Sequence, residues 1–319
     1  MHAWIADRYG PPEVLAWRER APHELAPHHV RVRVHAAAVN PADLQLLRGE
    51  PFFLRLTGLG LWRPKHPVPG TDVAGVVEEV GRGVRSLRVG DPVFADLSAR
   101  GRGAFAERVV ATEDAWTPVP HGVSLEAAAA TPMAAVTALQ GLRDAGRLAP
   151  GNEVLVHGAS GGVGTFAVQI AVALGARVTA VASARNLDLV RSLGAARAID
   201  YATEDFTATG DRYDLVFDTV GNRRPADVRR ALHPDGAFVT TAFLPALAGP
   251  RRRGSAARGP RMVNLLARPD REDLATVGEL LASGAVVPAV DRRYPLTAAV
   301  DALRHVATRR ARGKVVLVA

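Results

Sequence analysis

Ala159, Gly161 and Gly164 stand at the spacing of a glycine-rich phosphate loop, with alanine in the first of the three places. The apolar β-formers Val154, Leu155 and Val156 lead into them through His157 and Gly158. A helical apolar pattern follows, with Phe166, Ile170 and Leu174 at intervals of four. In a strand, turn and helix of this kind, free backbone N–H groups and the positive end of the helix dipole converge on an anion. Ala159, Ser160, Gly161, Gly162, Val163 and Gly164 are therefore expected to hold a pyrophosphate. Gly161 would let the backbone approach the ligand, and Gly164 would let helix and strand pack closely.

The next strand, residues 177–182, should end beside the adenosine ribose. A carboxylate there would bond a free 2′-hydroxyl and repel a 2′-phosphate. Here Ser183, Ala184, Arg185 and Asn186 follow, and no carboxylate occurs before Asp188. A hydroxyl and a guanidinium suit a phosphate. The expected cofactor is NADP(H) rather than NAD(H), with Ser183 and Arg185 reading the phosphate.

These residues need a scaffold, and 319 residues is enough for two domains of ordinary size. Hydrophobic residues make up 48% and charged residues 23%, as in ordinary globular proteins. No uncharged apolar run is long enough to span a membrane. Asp7 and Arg8 interrupt the start, so no signal peptide is read there and a cytoplasmic location is expected. With no cysteine, disulfides, thiolate zinc ligands and cysteine nucleophiles are excluded together. The net charge is +8, and Lys65 and Lys314 are the only lysines. The arginines are spread along the chain except at Arg251, Arg252 and Arg253, which argues against a nucleic-acid surface.

Residues 30–36 alternate strictly, as a half-buried strand does. Further short strands, broken by Gly and Pro, are expected at 3–6, 73–80, 84–89, 89–94 and 103–110, with no helix of note before residue 120. Ser124 opens an Ala-rich helix that Pro132 should split. From Asn152 strands and helices alternate, which predicts an α/β unit with a doubly wound parallel sheet. Residues 246–260 read as a loop, 271–281 and 298–306 as helices, 286–290 as extended, and 314–318 as a last strand.

Five motifs in order sharpen this outline: Tyr9-Gly10-Pro11-Pro12-Glu13-Val14-Leu15, Ala38-Val39-Asn40-Pro41-Ala42-Asp43, Gly70-Thr71-Asp72-Val73-Ala74-Gly75, the loop from His157 to Gly164, and Gly313-Lys314-Val315-Val316-Leu317. Together they resemble the medium-chain dehydrogenase/reductase superfamily, in its zinc-free, quinone-oxidoreductase-like branch. The resemblance covers essentially the whole chain and weakens at residues 246–260. It implies a GroES-like, β-barrel-type domain over 1–121 and 268–319 and a Rossmann domain over 122–267.

Zinc-dependent members have cysteine where Asn40 stands, a His-Glu pair where Thr71-Asp72 stand, and a second cysteine near Met133. The residues present here leave zinc without its thiolate and imidazole ligands. Alcohol-dehydrogenase relay residues align with Ala42 and Gln45, and the tyrosine of many quinone reductases is replaced by Gln45. The resemblance therefore implies hydride transfer from NADPH to quinones or α,β-unsaturated carbonyls in a cleft between the domains, without metal. Asn40 is the candidate donor to the substrate oxygen or the nicotinamide ribose, with loop anchoring as its alternative role; Asp43 is expected to fix its loop. Gln45, Phe52, Phe53 and Trp62 are candidates for the substrate cleft.

Thr137 is expected at the nicotinamide end, Tyr201 near the 2′-phosphate, and Thr241, Ala242 and Phe243 near the carboxamide. Arg251 to Arg253 read as a solvated loop, with a lid over the phosphates as alternative. A homodimer is expected by analogy. The alternatives of other classes are a catalytically silent NADP(H)-binding sensor and an RNA-binding protein.

Overall fold

The computed structural model describes residues 1–21, 24–53, 55–242, 244, 247 and 259–319. Two units are present: Met1–Met133 with Pro269–Ser283 and Pro288–Ala319, and Ala134–Arg268 with Gly284–Val287.

In the first unit, β1 (His2–Ala6) pairs with β2 (Leu15–Glu19). The long strand β3 (His29–Val39) changes character along its length. Val30, Val32 and Val34 face inward between half-exposed or exposed partners, whereas Ala36 to Val39 are buried on both faces. That change follows from the shift from alternating to continuous apolar sequence. Helix α1 (Pro41–Arg48) comes next, against the expectation of no helix in this region. Its signals are local and compact: Pro41 opens the first turn, Asp43 accepts the Asn40 N–H at 2.8 Å, and Gly49 closes it at φ +65. Only eight residues long, it has too little apolar periodicity to stand out beside these caps.

Strands β4 (Asp72–Val80), β5 (Pro92–Asp96), β6 (Arg108–Thr112) and β7 (Thr117–Pro118) complete this part. Residues 84–89, expected as a strand, are irregular. The Arg85 N–H and the Ser86 N–H and hydroxyl turn to the Glu113 carboxylate, which takes the place of a ladder. The Ala-rich segment splits at Pro132 as expected, into α2 (Leu125–Ala129) and α3 (Pro132–Leu139). Helix α2 packs on β3 and β4.

The second unit alternates β8 (Glu153–His157), α4 (Gly162–Ala173), β9 (Arg177–Ala182), α5 (Leu187–Ser192), β10 (Arg197–Asp200), β11 (Tyr213–Asp218), α6 (Pro225–Val228), β12 (Leu232–Thr240) and β13 (Arg261–Asn264). The strands lie in the order β10-β9-β8-β11-β12-β13, all parallel. This is the Rossmann arrangement, whose order reverses between β8 and β11 and opens a crevice at their carboxyl ends. Phe166, Phe206, Phe217 and Phe238 are fully buried in this unit. Strand β13 was not foreseen, because four residues beside a loop-like segment carry little pattern.

The chain returns to the first unit with α7 (Arg271–Ala282), β14 (Val290–Pro295), α8 (Ala299–Ala307) and β15 (Lys314–Val318). The sheet order is β14-β15-β3-β4-β5-β7, with β6 also on β3. The core includes Trp116, Phe94, Phe105 and Leu317. Trp4 Nε1 donates to the Leu296 carbonyl at 2.8 Å, tying the two ends of the chain together. Pairing of β15 with β3 sets Val315 opposite Val39, which brings Lys314 to the Asn40 end of the sheet.

Candidate active site

The glycine loop of the second unit divides its labour among four residues. Gly158, just before the expected spacing begins, takes the left-handed conformation at φ +82 and makes the turn. The Gly158 and Ala159 N–H groups bond the Val181 carbonyl at 3.2 and 3.1 Å, pinning the loop to β9. A Cβ on Gly164 would lie 2.1 Å from the Gly158 oxygen, so only glycine permits this helix-to-loop contact. A Cβ on Gly161 would meet nothing closer than 3.4 Å, which leaves open space over the loop. Gly161 caps α4, and the next three N–H groups, of Gly162, Val163 and Gly164, precede the first intrahelical bond, from Thr165 N–H to the Gly161 carbonyl. With no acid in this first turn, the loop fits a pyrophosphate.

Ser160 accepts from Asn186 Nδ2 at 2.9 Å. The Asn186 oxygen is buried with no hydrogen-bond partner, an orphaned acceptor beside the loop. Ser183 is half-buried and Arg185 exposed after β9. Asp200 pairs with Ala182, and the Tyr201 N–H bonds the Ala182 carbonyl at 3.2 Å, so Tyr201 follows in register with Ser183. Tyr201 is 55% exposed. The structure thus gathers Ser183, Arg185 and Tyr201 at the ends of two neighbouring strands. Asp188 turns to Arg191 at 3.0 Å.

At the reversal point, His157 and Asp218 end β8 and β11 side by side. His157 Nδ1 lies 2.9 Å from Asp218 Oδ1, and its ring leans on Phe206. Burial would raise the Asp218 carboxyl, but His157 and the Val220 and Gly221 N–H groups outweigh it and hold it below the usual carboxylate range. Asp218 also accepts from Thr240 Oγ1 at 2.9 Å and its carbonyl from the Thr241 N–H at 2.9 Å. The Ala242 N–H turns to Thr240 Oγ1 at 3.1 Å. Thr137 is half-buried in α3. Phe243 and Arg251 to Arg253 lie outside the described residues.

In the first unit, the positions that resemblance set apart meet around one cation. Asn40 Nδ2 donates to Asp72 Oδ2 at 2.9 Å and to Thr71 Oγ1 at 3.3 Å. Lys314 Nζ donates to Asn40 Oδ1 and, at 3.3 Å, to Asp72 Oδ2. The Met133 N–H donates to Asp72 Oδ1 at 3.0 Å. Asn40, Thr71, Asp72 and Lys314 are all buried, Lys314 to 2% exposure. Burial pushes the Asp72 carboxyl up, and the Lys314 ammonium opposes this most. Burial also pushes Asp43 up to about 7, with one carboxylate oxygen unpartnered. Asp96, opposite Asp72 in the ladder, is raised to about 6 by burial and by that neighbour.

This donor set does not fit zinc: one carboxylate, an amide and a hydroxyl surround an ammonium. Among the described residues no three His, Cys, Asp or Glu form a metal-binding group. Both Asn40 amide hydrogens are engaged, so donation to a substrate would require one bond to open. Lys314 and Asn186 were missed as site residues; Gly158, quoted in the motif, was not given its turn role.

Gln45 is exposed on α1, and Phe52 and Trp62 are exposed, Trp62 to 85%. The Arg55 guanidinium stacks 4.3 Å from Tyr9 and 5.4 Å from Phe52. Trp62 joins Tyr9, Arg48 and Arg55 around an open cavity of about 420 Å³, which Gln45 and Phe52 do not line.

Comparison with known proteins agrees with this anatomy. A family model described as an alcohol dehydrogenase GroES-like domain matches residues 26–121, and one described as a zinc-binding dehydrogenase matches residues 193–317. The chloroplast envelope quinone oxidoreductase homolog of Arabidopsis thaliana is 35% identical over 308 residues, spanning 91% of this chain and 89% of that one. The chloroplastic NADPH-dependent alkenal/one oxidoreductase of the same plant is 33% identical over 328 residues, spanning 99% and 79%. The solved structure of the quinone oxidoreductase from Coxiella burnetii matches at a TM-score of 0.86 and 29% identity, spanning 100% and 99%. The chain belongs to the medium-chain dehydrogenase/reductase superfamily, in its zinc-free, quinone-oxidoreductase-like branch.

Proposed function

We propose that this chain is an NADPH-dependent, zinc-independent oxidoreductase that reduces quinones or α,β-unsaturated carbonyls. The observation that carries the reading is an open glycine loop paired with a β9 end that offers Ser183 and Arg185 and no carboxylate. The two Arabidopsis relatives, named for quinone and alkenal/one oxidoreduction, support the substrate class.

In this reading the N–H groups of Gly162, Val163 and Gly164 bind the pyrophosphate, and Ser183, Arg185 and Tyr201 bind the 2′-phosphate. Thr137, Thr241 and Ala242 approach the nicotinamide end. When bound, NADPH supplies the hydride. A conjugated carbonyl is already electrophilic at carbon, so orientation and exclusion of water carry most of the remaining work. Asn40 is held from both sides by Lys314 and Asp72 and positions the head of α1. Gln45, Phe52 and Trp62 contact the substrate.

The test mixes the protein and NADPH with a panel of quinones and enones and follows loss of nicotinamide absorbance. Turnover is expected with at least one of them, undiminished by a zinc chelator. Tight NADPH binding with no turnover on the whole panel would overturn the proposal in favour of a silent sensor.

A further inference from the structure

We propose that the first unit carries a second ligand site, a basic cavity that binds a small anion through its phosphate or carboxylate groups. The cavity holds about 360 Å³, within the roughly 300–1,000 Å³ of small-molecule sites. Arg20, Lys65, His66, Arg100, Arg102 and Arg108 line it, and Glu24 is the one carboxylate among its lining residues. None of the lining residues comes from the second unit, where the glycine loop lies.

Two of the arginines are already answered: Arg100 by Asp114 at 2.7 Å and Arg108 by Glu78 at 2.6 Å. Among the described residues, Arg20 and Lys65 have no carboxylate within ion-pairing distance, and Arg102 Nε is buried without a hydrogen-bond partner. Arg102 also holds the left-handed conformation at φ +64, between Gly101 at +100 and Gly103 at +113. A residue with a Cβ is disfavoured there, and such strain concentrates where a side chain must be aimed at a ligand. His66 registers the resulting potential: burial lowers its pKa, and Arg102 and Lys65 lower it further. Guanidinium and ammonium groups around a partly desolvated cavity match the oxygens of phosphate or carboxylate.

The experiment titrates the whole protein with inorganic phosphate and, separately, citrate, by calorimetry at ionic strength held constant with sodium chloride. Saturable binding of at least one is expected, and the tighter probe identifies the class. Lys65→Gln and Arg20→Gln should each weaken it about tenfold, as loss of a charge-assisted contact does. Arg102→Gln should weaken it at least as much, but Arg102 also borders Asp43 in a cavity of about 20 Å³. Lys65→Gln therefore serves as the variant that leaves that contact alone. Exposed Arg292, on β14, is the control, and Arg292→Gln should change nothing.

In the NMR titration of His66, assigned with His66→Gln, bound anion should move the midpoint to higher pH. Phosphate held by the glycine loop would be indifferent to Lys65→Gln. Binding unchanged in Lys65→Gln and Arg20→Gln, no saturable binding of either probe, or an unmoved His66 midpoint would overturn the proposal.

Discussion

In the second unit, the groups offered to a ligand are main-chain N–H groups at the head of α4, left without acceptors by helix geometry. In the first unit, Asn40, Thr71, Asp72 and Lys314 answer one another and are buried. The loop is thus an open receptor that needs little side-chain chemistry. The cluster is a closed network built around the buried Lys314 ammonium. Substitutions should therefore differ: on the open face of the loop they affect binding first, and in the cluster they affect folding first.

The largest effect is expected at the cluster. Lys314→Met strands the buried Asp72 charge and should cost on the order of 3–5 kcal/mol in urea unfolding. Adding Asp72→Asn should restore most of that loss, because the uncompensated charge is gone. A single variant as stable as wild type would show that the ammonium does not hold the cluster together.

Two neighbouring glycines sharpen the contrast from the loop side. Gly164→Ala drives a Cβ to 2.1 Å from the Gly158 oxygen, and a forced backbone shift of this kind costs about 1–3 kcal/mol. Gly161→Ala has room at φ −84, so stability should change by less than about 1 kcal/mol. NADPH affinity should nevertheless fall about tenfold or more, because the methyl enters the space over the loop. Calorimetric titration beside urea unfolding separates the two, and equal effects at both positions would merge them.

A further effect is a pH dependence of stability that traces to Asp43 in the first unit. Asp43 has its pKa raised to about 7 from 3.8, so the folded state holds a proton that the unfolded chain has released. Stability from this group is full below the unfolded pKa and is lost as pH rises toward the folded value. The slope for one such group is at most about 1.4 kcal/mol per pH unit. Asp43→Asn should flatten the decline between pH 4 and pH 7 while still accepting the Asn40 N–H. An unchanged slope would remove Asp43 as its source.

The same contrast explains what could be seen in advance. The glycine loop, the strand alternation of β3 and the split at Pro132 are local patterns, written within a few residues. The Lys314 to Asn40 contact spans 274 positions and leaves no periodic trace. Gly158 was overshadowed by the spacing that starts one residue later, although a glycine before a turn of that kind is itself a signal. Helix α1 was hidden by its length, though Asn40, Pro41, Asp43 and Gly49 spelled both caps. The placement of Ser183 and Arg185 just after β9 was legible because its apolar run ends at Ala182. The exposures of Phe52 and Trp62 depend on how irregular chain is laid down, which no spacing rule encodes, and that of Gln45 on the face it takes in the unforeseen helix α1.

The most direct test of the loop as a site for phosphorylated coenzyme is parallel titration of NADPH and NADH into wild type and Arg185→Ala. NADPH should bind more tightly to wild type, and Arg185→Ala should weaken it by about 1.5–3 kcal/mol while leaving NADH nearly unchanged. Equal losses for both coenzymes, or no binding of either, would contradict the account.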